Sequence, residues 1–180
     1  MEHLSFVRPA SWAEVLSEWR DREAEWGWEE VWRSRGFESW DAWRATYTAP
    51  LQFQERTWEM YRVDEPAVLI PKMWAVAYSG WKRYYPVGAG KAQLADIARH
   101  PDLPANSKVI GLRKSFPGPT TIIGIRQGEE LAVFEGLHRC ATIALEAQNQ
   151  RQVARELTIA LTEFGSDEAG LFEKAITQKA

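Results

Sequence analysis

The residues that offer most chemistry lie side by side at Glu135-Gly136-Leu137-His138-Arg139. An apolar run, Leu131 to Phe134, leads into them, and a stretch of helical composition, His138 to Gln148, follows. A helix that opens directly after a strand leaves its first backbone N–H groups without intrahelical partners and carries partial positive charge there. A glycine at the junction lets the chain bend. A histidine and an arginine in the first turn add side-chain donors, and the arginine fork matches phosphate oxygens. The pattern describes an anion site at a helix N-terminus, with the Glu135 carboxylate beside it. The same spacing also describes an ordinary strand-to-helix turn with a solvated histidine and arginine, and the residues alone leave both readings open. Thr120 and Thr121 follow the turn Pro117-Gly118-Pro119, enter the preceding strand, and are expected near the same corner.

The elements that must hold this corner read as α+β. Thr120 to Arg126 is a β-branched strand, Gln127-Gly128 a turn, and Leu131 to Glu135 the second arm of a hairpin. Arg155 to Phe164 alternates Leu157, Ile159 and Leu161 with polar neighbours and reads as a further strand. Val68-Leu69-Ile70, stopped by Pro71, and Lys108 to Phe116 are expected as strands, and Ala92 to His100 as a helix. Residues 72–90 carry Gly80, Pro86, Gly88 and Gly90 and read as loop-rich. A terminal helix is expected after Gly165-Ser166, with Leu171, Phe172 and Ile176 on its apolar face. Together these make a small mixed sheet with helices.

The first sixty residues read as helical and hold eight of the ten tryptophans. Ser11 with Glu14 suggests a capping box, Ser39 caps a later helix, and Gly36 ends the one between. Trp12, Trp19 and Trp26 recur at heptad spacing, and Leu51 to Tyr61 is a further helical candidate. The indoles serve either as a core between helices or as an aromatic platform for a partner protein or a second subunit. Residues 1–61 are expected as a Trp-rich helical extension packed on a domain formed by residues 62–180.

Composition narrows the chemistry. The chain has 180 residues, 45% hydrophobic, and can bury a sizeable core. One cysteine, Cys140, and three scattered histidines, His3, His100 and His138, give neither a disulfide framework nor a histidine-cysteine metal site. Residues 61–120 hold nine basic and four acidic side chains. That local excess suits a compact anion such as phosphate better than a long duplex, so DNA is not the expected partner. No apolar run has membrane-spanning length and no signal pattern opens the chain, so a cytoplasmic location without membrane attachment is expected.

The segment Val133-Phe-Glu-Gly-Leu-His-Arg-Cys-Ala-Thr142 resembles the Gly-x-His-Arg or Gly-x-x-Arg box of the ParB/sulfiredoxin-like superfamily. That superfamily includes the nucleotide-binding domain of the chromosome-partitioning protein ParB, sulfiredoxin, and free serine kinases of ParB-like fold. The resemblance covers Val68 to Phe164 and is concentrated in residues 121–147. It implies a small α+β fold whose box opens a helix and grips nucleotide phosphates. Gly136 then admits the phosphate, the Leu137 backbone contributes an N–H, and His138 and Arg139 are the phosphate-binding pair. Glu135 stands where several members carry an acidic residue, and implies a magnesium ligand or a base for an acceptor hydroxyl. Asp64-Glu65 is a second acidic candidate, and Lys82 and Arg83 are candidates to reach the phosphates.

The expected ligand is a nucleoside di- or triphosphate, such as ATP or CTP, or another phosphorylated small molecule, with Mg2+. The expected activity is nucleotide binding with phosphotransfer or NTP hydrolysis. The alternatives are a non-catalytic nucleotide sensor or interaction module, and a ParB-like nuclease. Sulfiredoxins carry their cysteine where this chain has Leu137, so sulfinic-acid reduction is not implied. No carboxylate cluster for two metals is readable for a nuclease.

Overall fold

The computed structural model describes residues 2–25 and 27–177. Trp26, the third member of the heptad series, lies outside the described residues. Six strands are present: β1 (Leu4–Ala10), β2 (Trp58–Val63), β3 (Trp74–Ala75), β4 (Thr120–Gln127), β5 (Glu130–Glu135) and β6 (Leu157–Glu163). They form one mixed sheet in the order β1-β2-β6-β4-β5-β3. β6 is antiparallel to β2 and parallel to β4, and β5 is antiparallel to β4 and parallel to β3. The eight helices among the described residues are α1 (Trp12–Glu25), α2 (Glu29–Ser34), α3 (Trp40–Thr48), α4 (Pro66–Leu69), α5 (Leu94–Ala98), α6 (Ser107–Lys114), α7 (Leu137–Gln148) and α8 (Ala169–Ile176). The fold is mixed α+β.

The chain divides into two compact units, Met1–Arg8 with Glu59–Ala180, and Pro9–Trp58. In the first, β4 and β6 lie at the sheet centre. Ile122 and Ile123 point to opposite faces, and both are fully buried, so both faces of the sheet are covered there. Leu137, Cys140, Ala141 and Ala144 of α7 join Ile122 and Val133 in the main core. Phe172 of α8 meets Phe164 edge-on, with centroids 6.4 Å apart. The β4–β5 pairing shifts register between Ile123 and Gly124, so that Ile123 faces Glu135 while Gly124 faces Val133. Phe134 is the extra residue of this bulge, which re-aims the side chain that follows it.

Three expectations change. Lys108 to Phe116 is not a strand: α6 occupies most of it, because the Asn106 side chain caps the helix by accepting from the Lys108 and Val109 N–H groups at 3.0 and 3.2 Å. Val109 and Leu112 then form its buried side. Val68-Leu69-Ile70 is not a strand either, since Pro66 starts the short α4 and a 310 turn, Ile70–Lys72, continues it. The first sixty residues are not wholly helical, for Leu4–Ala10 is a strand, and two 310 turns, Ala49–Leu51 and Phe53–Glu55, lead into β2 where a helix was expected.

The second unit spends its indoles on its own interior. Trp12, Trp19, Trp40, Trp43 and Trp58 are buried, while Trp28 and Trp32 are half-buried. Trp12 stacks on Trp58 at 5.1 Å and meets Phe53 edge-on at 5.2 Å. The buried Arg44 guanidinium lies 3.6 Å from the Trp43 ring centroid and pairs with Glu23. The expected caps are present: Ser11 Oγ accepts from the Glu14 N–H at 3.2 Å, and Ser39 Oγ from the Ala42 N–H at 3.1 Å. Gly36, at φ +80°, closes α2 while the Phe37 N–H reaches back to the Trp32 carbonyl at 3.2 Å. No helix among the described residues is long and apolar enough to cross a membrane.

Candidate functional site

β5 delivers Glu135, Gly136 turns the chain, and α7 begins at Leu137. Gly136 has φ +97°, a region that L side chains rarely adopt. A Cβ there would stand 2.6 Å from Ile122 Cγ2 and 3.1 Å from Arg139 Nη2. The room a side chain would need is therefore filled by Ile122 and Arg139. No side chain caps the helix at Gly136, and the Leu137 side chain is buried in the core, leaving only its backbone to the site.

Arg139 brings together the residues that the sequence grouped, and it does so as an internal tie. Its Nη1 donates to Thr120 Oγ1 at 2.5 Å and to the Thr121 carbonyl at 2.8 Å. Its Nη2 donates to Glu135 Oε1 at 2.8 Å and Oε2 at 2.7 Å. The side chain is 5% exposed, against 15% for Glu135. A guanidinium so far from water is tolerable because Nη1 meets two protein oxygens and Nη2 meets both oxygens of a carboxylate of opposite charge. The result is a staple that fixes the start of β4 and the end of β5 to the first turn of α7.

His138 faces a different environment. Its half-buried ring lies against Trp81 at 4.8 Å between centroids, and it makes no side-chain hydrogen bond among the described residues. Burial, followed by the positive charges of Lys108, Arg139 and Arg83, lowers its pKa to about 4. Trp81 in turn meets Tyr84 at 5.5 Å, and Tyr84 meets His100 edge-on at 5.4 Å. The Tyr84 hydroxyl accepts from Arg83 at 2.7 Å and from the Asn106 amide at 3.0 Å. A 310 turn, Ser79–Tyr84, the capped start of α6 and the start of α7 are thus linked through one set of rings.

Lys108, Trp81 and Tyr84 are the residues here that sequence reasoning did not assign. The signal for Lys108 was present: Asn106 followed by Val109 and Leu112 at helical spacing marks a helix start with a lysine in its first turn. Lys82 is exposed on the same turn as Arg83. Asp64 and Glu65 have other partners. Ser5, then Arg62, hydrogen-bonds Asp64 and holds its carboxyl below the usual range, while Glu65 pairs with His3 at 2.6 Å.

Magnesium fits these side chains poorly. The carboxylate beside the box, Glu135, already has both oxygens on Arg139, and the other charges acting on His138 are positive. No group of three or more His, Cys, Asp or Glu able to hold a metal occurs among the described residues. Cys140, the residue after Arg139, is fully buried, and burial pushes its thiol up to about 12 despite the nearby guanidinium. We expect no reaction of Cys140 with a disulfide reagent in the native protein and one equivalent after unfolding, read by absorbance. Rapid native modification would contradict this burial.

Comparison of the chain with protein-family models, with curated proteins and with solved structures finds no match.

Proposed function

We propose that the protein binds the phosphate groups of a nucleotide at the start of α7, on a core of ParB/sulfiredoxin-like type. The observation that carries this reading is the His138 imidazole: half-buried, without a side-chain hydrogen bond among the described residues, and subject to the positive charges of Lys108, Arg139 and Arg83. Such a cluster has an electrostatic deficit that an anion would fill. The first N–H groups of α7 add donors on the same element, with no side-chain cap at Gly136 to compete for them. In this reading His138 and the backbone of Leu137 meet the ligand. Arg139 acts through the shape of the junction it staples.

For a phosphotransferase, Glu135 is the group that receives the acceptor's proton, oriented by Arg139. A second reading, nucleotide sensing without transfer, is favoured by that same pair, because both Glu135 oxygens already accept hydrogen bonds. Titration of ATP, ADP and CTP by tryptophan fluorescence tests the binding step, since Trp81 touches His138. His138→Ala is expected to weaken binding about 10- to 100-fold, the scale of a lost charge-assisted hydrogen bond. If none of the three nucleotides perturbs the wild-type protein, the reading is wrong. Incubation with ATP and pooled hydroxyl-bearing metabolites separates the two versions: phosphate transfer identifies the enzyme, and binding without transfer the sensor.

A further inference from the structure

We propose that β1 is the seam of a reversible two-fold dimer, in which this edge of the sheet pairs antiparallel with the same strand of a second copy of the chain. The proposal is independent of the phosphate reading.

β1 ends the strand order, and no strand lies beyond it among the described residues. Two contacts give its register against β2. The Asp64 N–H donates to the His3 carbonyl at 3.0 Å, and the Phe6 ring meets Tyr61 edge-on at 5.8 Å. Residue 3 beside 64 and residue 6 beside 61 make the two strands antiparallel. In such a pair the backbone groups of successive residues point alternately toward the partner strand and away from it. His3 is bonded toward β2, so Ser5 and Val7 also face inward, and the N–H and C=O groups of Leu4 and Phe6 face outward. Pro9, which has no N–H, falls among the inward positions and does not interrupt the outer row.

Proteins commonly blunt an edge of this kind with lysine, an outward proline or a covering segment. Residues 4–8 hold no lysine, and Phe6 and Val7, on opposite faces of the strand, are 56% and 54% exposed. Side chains open on both faces leave the outer row within reach of another strand.

A second copy fits this edge because the segment is complementary to itself. With Ser5 of one copy beside Ser5 of the other on the two-fold axis, Leu4 of each faces Phe6 of the other. Each Leu4–Phe6 pair exchanges two backbone hydrogen bonds and sets one apolar side chain against another. The ends match in charge. Glu2, with its side chain 87% exposed, stands at one end of the segment, and Arg8, also exposed, at the other. The antiparallel arrangement brings the acidic end of each copy to the basic end of the other. Arg8 has contacts within its own chain as well, and its charge attracts that acidic end whatever else it touches. A seam of this length is smaller than a standard interface of about 1,600 Å2, so the dimer forms at micromolar concentration and is not obligate.

Sedimentation velocity of the full chain from about 1 to about 500 µM is expected to show one chain converting to two as concentration rises. In the concentrated protein the Leu4 and Phe6 amide hydrogens are expected to exchange at least about tenfold more slowly than in dilute protein, while those of Ser5 and Val7 are slow in both. Glu2→Arg and Arg8→Glu each set like charges against one another across the seam, and each alone is expected to weaken the dimer about tenfold. An equal mixture of the two variants is expected to restore it, because a mixed pair brings unlike charges together at both ends. Phe6→Pro removes an outward N–H and no bond to β2, and is expected to remain folded by circular dichroism and monomeric. Should Phe6→Pro unfold, the mixing experiment decides.

A wild-type protein that remains one chain throughout this range overturns the proposal, even where an added extended peptide pairs with β1 instead. So does a dimer whose Leu4 and Phe6 amides exchange as fast as in dilute protein, or whose charge variants do not recover on mixing.

Discussion

Arg139→Ala is expected to cost about 3–5 kcal/mol of folding stability, the usual penalty for removing one partner of a buried ion pair. The substitution leaves the Glu135 carboxylate, the Thr120 hydroxyl and the Thr121 carbonyl without their common donor. In a chain of this length that corresponds to a fall in melting temperature of about 6–20 °C. Arg139→Lys keeps the charge but loses the planar fork that spans β4 and β5, so it should recover only part of the loss. Combining Arg139→Met with Glu135→Gln should cost less than the two separate losses added together, because no charge is then left unpaired. Thermal and denaturant unfolding measure each of these variants. A loss below about 1 kcal/mol for Arg139→Ala would mean that the junction is not held by this staple. Weak nucleotide binding by Arg139→Ala would accordingly report the junction as much as the ligand, which makes His138→Ala the cleaner probe of the site.

Arg44→Ala should be comparably damaging in the tryptophan-rich unit. Glu23 is buried there, accepting from Arg44 Nε at 2.9 Å and from the Trp40 indole N–H at 2.6 Å. The guanidinium also lies on the Trp43 ring and faces Trp19 at 4.8 Å. Truncation strands the carboxylate and removes the cation from the rings, for about 3–5 kcal/mol together. Arg44→Lys cannot both stack flat on Trp43 and fork onto Glu23, and is expected to resemble the alanine variant. Glu23→Gln still accepts from Trp40 and should be milder. Near-ultraviolet circular dichroism, dominated by the packed indoles, should lose intensity in Arg44→Ala. An unchanged spectrum with unchanged stability would show that the rings hold one another without the ion pair.

The tryptophan cluster is also where composition alone was least informative. Eight indoles in sixty residues suit a core as well as a platform, and the amino acid types do not say which. Burial of Trp12, Trp19, Trp40, Trp43 and Trp58, with Arg44 enclosed among them, gives the interior role to most of that surface. α6 shows the converse. Val109 and Ile110 are β-branched and suit a strand, whereas the Asn106 cap and the Val109–Leu112 spacing, both local, specify a helix. The capped helix wins because β propensity depends heavily on context, and here the context is a helix start.

What the sequence determined by itself is the set of features complete within about ten residues. These are the β4–β5 hairpin, the glycine junction, α7, β6, and the caps at Ser11, Ser39 and Gly36. Each rests on a turn residue, a periodicity or a cap whose partners are neighbours in the chain. The tertiary structure decided which way the charged groups face. Arg139 meets Thr120 across 19 positions because β4 lies beside β5 and a bulge re-aims Glu135. His138 meets Trp81, and feels Lys108 and Arg83, because α6 and a 310 turn pack beside the start of α7. A helix N-terminus attracts anions wherever it occurs; whether a protein carboxylate or a ligand answers that charge depends on side chains that only the packed fold brings within reach.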